Sequence, residues 1–97
     1  MAGEKLLEKE FTKRAELLGG VSLKFISPGY SGVPDRIFIM QGEAWFVELK
    51  TTGEKPTPRQ LFVHNEFRKR GFKVWVIDSV ASLDYFFEQV KNHFGII

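Results

Sequence analysis

A chain of 97 residues, 43% hydrophobic with ten phenylalanines, is long enough to bury one core, and residues 1–97 read as one domain. The absence of cysteine excludes a disulfide framework, a cysteine-based zinc site and thiol catalysis. A net charge of +2 excludes little, but seven basic residues from Lys50 to Lys73 face only Glu54 and Glu66, which suits either a solvated helix face or contact with a polyanion.

The elements follow from spacing. Leu7, Phe11, Ala15 and Leu18 recur at three- and four-residue intervals, so residues 4–18 are predicted as a helix that Gly19-Gly20 ends. Residues 21–26 are predicted as a short strand, and Ser27-Pro28-Gly29-Tyr30-Ser31-Gly32 as a loop. Strands over 35–40 and 44–50 flank a hairpin-like turn at Gln41-Gly42-Glu43. Thr57, Pro58 and Gln60 have the N-cap, first-turn and capping-box pattern of a helix running to about Arg70, closed by Gly71. Val74 to Ile77 is wholly apolar and is predicted as an interior strand. Ser79 or Ser82 caps a last helix carrying Leu83, Phe87, Val90 and Phe94.

The order α-β-β-β-α-β-α implies an α/β domain. Three strands form an antiparallel meander, and a helical crossover places the fourth parallel to the third. No apolar run approaches ~18 residues, so no membrane span is expected. Met1-Ala2-Gly3-Glu4-Lys5 lacks the apolar continuation of a signal peptide, and an intracellular protein is expected.

The charged strand ends carry the chemistry. Side chains alternate along a strand, so Glu48 and Lys50 share a face with Ala44 and Phe46, opposite Val47 and Leu49. Pairing through the hairpin brings Asp35 near both. Two carboxylates can hold a hard divalent ion through oxygen, and a neighbouring ammonium can hold water or offset phosphate charge. The same residues also suit a solvated strand end with a surface salt bridge worth ~0–1 kcal/mol. His64 and His93 lack metal-ligand spacing, no Gly-rich phosphate loop occurs, and Ser27 and Ser31 lack an evident base.

Gly32-Val33-Pro34-Asp35-Arg36, then Glu48-Leu49-Lys50, then Gln60 at the next helix, resemble the PD-(D/E)XK nuclease superfamily and, more closely, its VRR-NUC (virus-type replication-repair nuclease) branch. The resemblance spans roughly residues 4 to 80. It implies a restriction-endonuclease-like α-β-β-β-α-β core, a mixed sheet flanked by helices, plus a C-terminal helix. It also implies a metal-dependent, structure-selective DNA endonuclease. Asp35 and Glu48 would be metal ligands, joined by the Leu49 backbone carbonyl, and Lys50 would position or activate water. A first-helix Glu would complete the acidic set; Glu8 is the choice, with Glu4 and Glu10 as alternatives. Magnesium is the expected ion, with manganese able to substitute.

Gln60 has two readings, an active-site contact implied by the resemblance and a capping residue for Thr57, and one side chain is expected to serve one of them well. Lys24, Tyr30, Arg36, Lys55 and Arg59 are the candidate DNA contacts, Arg36 being equally a salt-bridge partner. Stand-alone members of the branch resemble Holliday-junction resolvases that work as two-fold dimers, so four-way junction DNA and a homodimer are expected. The alternatives are a flap nuclease and a non-catalytic nucleic-acid-binding module. The stripe Leu83, Phe87, Val90 and Phe94, with Phe86, Ile96 and Ile97 left over, suggests a self-association surface, the alternative being that the domain uses them in its own core. A viral or prophage origin, also implied by the resemblance, would place the protein in the host cytoplasm.

Overall fold

The first helix of the computed structural model, which describes residues 3–96, is α1 (Glu4–Leu17). It buries Leu7, Phe11 and Ala15, four residues apart on one face. Gly19 stops it at φ +90°, a conformation that L side chains avoid, and the Gly20 N–H donates to the Ala15 carbonyl at 2.9 Å. β1 (Val21–Lys24) is two residues shorter than expected, although the Phe25 N–H still donates to the Asp35 carbonyl at 2.8 Å.

β2 (Arg36–Met40) and β3 (Glu43–Leu49) form a hairpin. Gln41 and Gly42 both have positive φ, 46° and 81°, as a two-residue turn matched to strand twist requires. α2 (Pro58–Lys69) is the crossover to β4 (Val74–Ile77), and α3 (Val80–Phe94) closes the chain. The sheet order is β1-β2-β3-β4, with the first two pairings antiparallel and β3 parallel to β4. β4 is therefore an edge strand rather than the interior strand its composition suggested. Its apolar side chains are covered from the face instead: Trp75 stacks on Trp45 at 5.8 Å and meets Phe86 of α3 at 5.6 Å.

Strand alternation divides the aromatics between two layers. Phe38, Trp45 and Val47 face α1 and α3, where Phe11, Phe86 and Phe87 complete a buried aromatic core. Phe46 faces the other way, against Phe67 of α2 at 4.8 Å and Phe25 at 5.8 Å. Phe86 touches five aromatic rings, those of Phe11, Phe38, Trp45, Trp75 and Phe87. Phe86→Ala is expected to cost about 3–5 kcal/mol in a urea unfolding experiment.

The α3 stripe is spent in this core. Leu83, Phe86, Phe87 and Val90 are buried, and Phe94 and Ile96 pack against them. It is not an exposed self-association surface; Ile97 lies outside the described residues. No helix among the described residues is long and apolar enough to cross a membrane.

Candidate active site

β-register brings the two carboxylates together. Arg36 lies opposite Val47, so Asp35, one residue earlier, arrives beside Glu48. The Leu49 N–H donates to both Asp35 carboxylate oxygens at 3.3 Å. The loop that delivers Asp35 is pinned from outside. Gly32 has φ +92°, and a Cβ there would lie 3.0 Å from Arg59 Cγ and from Val63 Cγ2, so only glycine lets this loop approach α2 so closely. Pro34 is buried behind it.

Glu48 lies on the α2 side of β3 and is only 4% exposed. Its Oε2 sits 3.4 Å from Lys50 Nζ and accepts from Gln60 Nε2 at 3.3 Å. Its Oε1 is buried with no hydrogen-bond partner among the described residues. His64, fully buried on α2, places Nε2 3.9 Å from that oxygen.

The electrostatics follow from burial. Desolvation first, and the nearby Glu48 charge second, push the Asp35 carboxyl up to about 7. Burial also raises Glu48, against the opposing pull of Lys50. Burial, helped by the charges of Arg68 and Lys50, lowers His64 to about 4, so its imidazole is neutral at pH 7. With both carboxylates ionised, two negative charges lie close together in a poorly hydrated recess, with Lys50 beside Glu48 and the Arg36 charge acting on Asp35. Two neighbouring carboxylates in such a recess fit a hard divalent cation.

Asp35, Glu48, Lys50 and Gln60 thus converge. Gln60 does not choose between its two readings, because its amide has two ends. Oε1 accepts the Thr57 N–H at 2.9 Å, completing the capping box, while Nε2 reaches Glu48.

Glu8 is engaged away from the two carboxylates. Arg36 alternates to the α1 side of the sheet and engages the Glu8 carboxylate in an ion pair. Glu10 is occupied by Arg14 at 3.3 Å. Glu4, one helical turn earlier, is the first-helix acid whose charge acts on both Asp35 and Glu48. Among the described residues no cluster of three acidic or histidine side chains is tight enough to hold a metal ion on its own.

The expected DNA contacts scatter around this centre. Arg36 takes the salt-bridge alternative. Tyr30, 44% exposed, lies under the Arg59 guanidinium at 5.0 Å, and Arg59 Nε donates to the Ser31 carbonyl at 3.1 Å, so this pair ties the loop to α2. Lys55 is exposed before α2. Lys24 joins Lys5, Lys9 and Lys13 around a groove of about 600 Å³ between α1 and β1, on the face away from Glu48.

Sequence reasoning missed His64. It lacks metal-ligand spacing, yet it lies four residues after Gln60. That interval puts both side chains on one helix face, here the face against Glu48.

No protein-family model matches the chain. The chain is 44% identical over 77 residues to "Putative nuclease p44" of Acyrthosiphon pisum secondary endosymbiont phage 1, spanning 78% of this chain and 83% of that one. A solved structure described as "VRR_NUC domain" superposes with a TM-score of 0.83 at 40% identity, covering 90% of this chain and 97% of that chain. Likeness of this extent in both sequence and fold makes the chain a member of the VRR-NUC family of nucleases.

Proposed function

We propose that this nuclease is a divalent-metal-dependent DNA endonuclease that prefers four-way junctions and works as a two-fold dimer. The observation that carries the metal reading is the pairing of the half-buried Asp35 carboxylate with the buried Glu48 carboxylate, whose Oε2 lies beside the Lys50 ammonium. A domain that only bound DNA would gain nothing from buried carboxylates, which repel phosphate.

In this reading Asp35, Glu48 and the Leu49 carbonyl would hold magnesium, or manganese in its place, with Glu4 adding negative charge from α1. The ion, when bound, acidifies a water and stabilises charge on a phosphoryl oxygen. Lys50 would orient the attacking water and limit repulsion between Glu48 and the phosphate. Gln60 fixes Glu48 Oε2 against rotation. Lys24, Lys55 and Arg59 supply phosphate contacts, and Tyr30 offers a base-stacking ring. The phage relative supports a site of action in the host cytoplasm.

A dimer on this fold needs a surface other than α3. The exposed apolar row Val21, Leu23 and Ile39, on β1 and its neighbour β2, supports such a pairing and sits at the sheet edge opposite β4. A C2 pair would present two sites to the two like strands of a four-way junction.

The test compares a labelled four-way junction with flap and linear duplex DNA in magnesium, manganese or EDTA. Symmetric nicking of the junction that EDTA abolishes is the expected result, with light scattering reporting a dimer. Flap cutting alone would overturn the junction preference, and binding without cutting would overturn the catalytic reading.

A further inference from the structure

His64 is fully buried, and neither ring nitrogen has a hydrogen-bond partner among the described residues. Glu48 Oε1 is likewise buried and unpaired, and Nε2 of His64 lies 3.9 Å away. Two unsatisfied polar atoms buried side by side are rare in folded proteins, because each forfeits its bonds to water. They are also complementary. A neutral imidazole carries one N–H, and a carboxylate oxygen only accepts.

The Asp35 backbone N–H also acts on the Glu48 carboxylate, yet Oε1 makes no hydrogen bond among the described residues. The second carboxylate oxygen, Oε2, is already shared by Lys50 and Gln60. We propose that His64 is the positioning residue of Glu48: its Nε2–H donates to Oε1 and, together with Gln60 on Oε2, locks the carboxylate plane. Closing the gap to hydrogen-bond distance takes a shift of about 1 Å, within the reach of two side chains on elements that already touch through Gln60. This deepens the proposed function and rests on its reading of Glu48 as an ion ligand. A carboxylate clamped at both oxygens by one helix meets a cation in a single orientation, as partners behind a ligand generally arrange.

The arrangement is specific about which nitrogen carries the proton. Long-range ¹H–¹⁵N NMR on the metal-free protein is expected to show the neutral Nε2–H tautomer of His64. The Nδ1–H tautomer would overturn the proposal without any variant being made. The second arm is calorimetric titration with Mn²⁺, with thermal melts confirming folding. His64→Leu, which keeps apolar bulk and removes the donor, is expected to weaken Mn²⁺ binding about 10-fold or more. His64→Gln, whose amide nitrogen can stand near Nε2, is expected to stay within about threefold of wild type. Equal affinity of the Leu variant and wild type overturns the proposal. So does an equal loss in both variants, which would assign the effect to volume. A wild-type protein that takes up no Mn²⁺ would overturn the ion reading of the site, and the tautomer would then decide the hydrogen bond by itself.

Discussion

Asp35→Asn is expected to abolish metal-dependent cleavage, by at least about 10³-fold, while making the metal-free protein more stable above pH 7. The two effects have one origin. The carboxyl is raised from 3.8 to about 7 by burial and by the Glu48 charge, so the folded chain holds a proton that the unfolded chain releases between those values. The native state therefore binds more protons across that window, and stability falls as pH rises through it. The loss is complete above about pH 7. It amounts to roughly 2 kcal/mol once the solvent that reaches Asp35 is allowed for. Asparagine carries no charge to bury, and its Oδ1 can keep the bond from the Leu49 N–H.

His64 works in the opposite sense from about 6.5 down to about 4, where the unfolded state takes up a proton that the buried ring refuses. The useful quantity is thus the difference between wild type and Asp35→Asn in urea midpoints from pH 5 to 8 in EDTA. That difference should grow toward pH 7 and then level off. A difference independent of pH would show that Asp35 is not strained. Divalent ion should reverse the order in wild type, adding about 2.7 kcal/mol at a hundred times its dissociation constant.

Lys50→Ala is expected to lower single-turnover cleavage about 10²- to 10³-fold, the scale of losing one charge aimed at the reacting group. It should also leave a signature that Asp35→Asn lacks. The ammonium, 3.4 Å from Glu48 Oε2, is what opposes the upward push of burial on that carboxyl. Without it Glu48 holds its proton to higher pH, so the residual rate should climb with pH over a range where wild type is flat. Lys50→Arg should fail to rescue fully, because a planar guanidinium cannot occupy the place of a compact ammonium. A pH profile in Lys50→Ala parallel to wild type would mean that Lys50 acts on water alone and not on Glu48.

Much of the architecture was legible because it rests on local pattern. Hydrophobic spacing gave α1, the Gln41-Gly42 turn gave the hairpin, and the Thr57-Pro58-x-Gln60 cap gave the start of α2. Register then carried Asp35 to Glu48 without further information. What failed was non-local. The apolar run of β4 announces burial but not what buries it, and α3 with Trp45 covers a strand that has only one partner in the sheet. The α3 stripe looked surplus because the aromatic core that absorbs it comes from α1, β2 and β3. Helical periodicity places Glu4 and Glu8 on neighbouring turns but cannot say that Arg36 will claim the second. Gln60 was read as an either-or because a side chain was counted as one group rather than two.

That shared amide has a consequence for how the molecule fails. Helix ends ordinarily fray at little cost, since their first turns open locally while the rest of the fold stays intact. Here the first turn of α2 is closed by the same side chain that steadies Glu48. Each transient opening of that turn also removes the Gln60 hold on Glu48 Oε2. On the proposed reading of Glu48, heat would weaken cleavage through one helical turn before the aromatic core between α1 and α3 lets go.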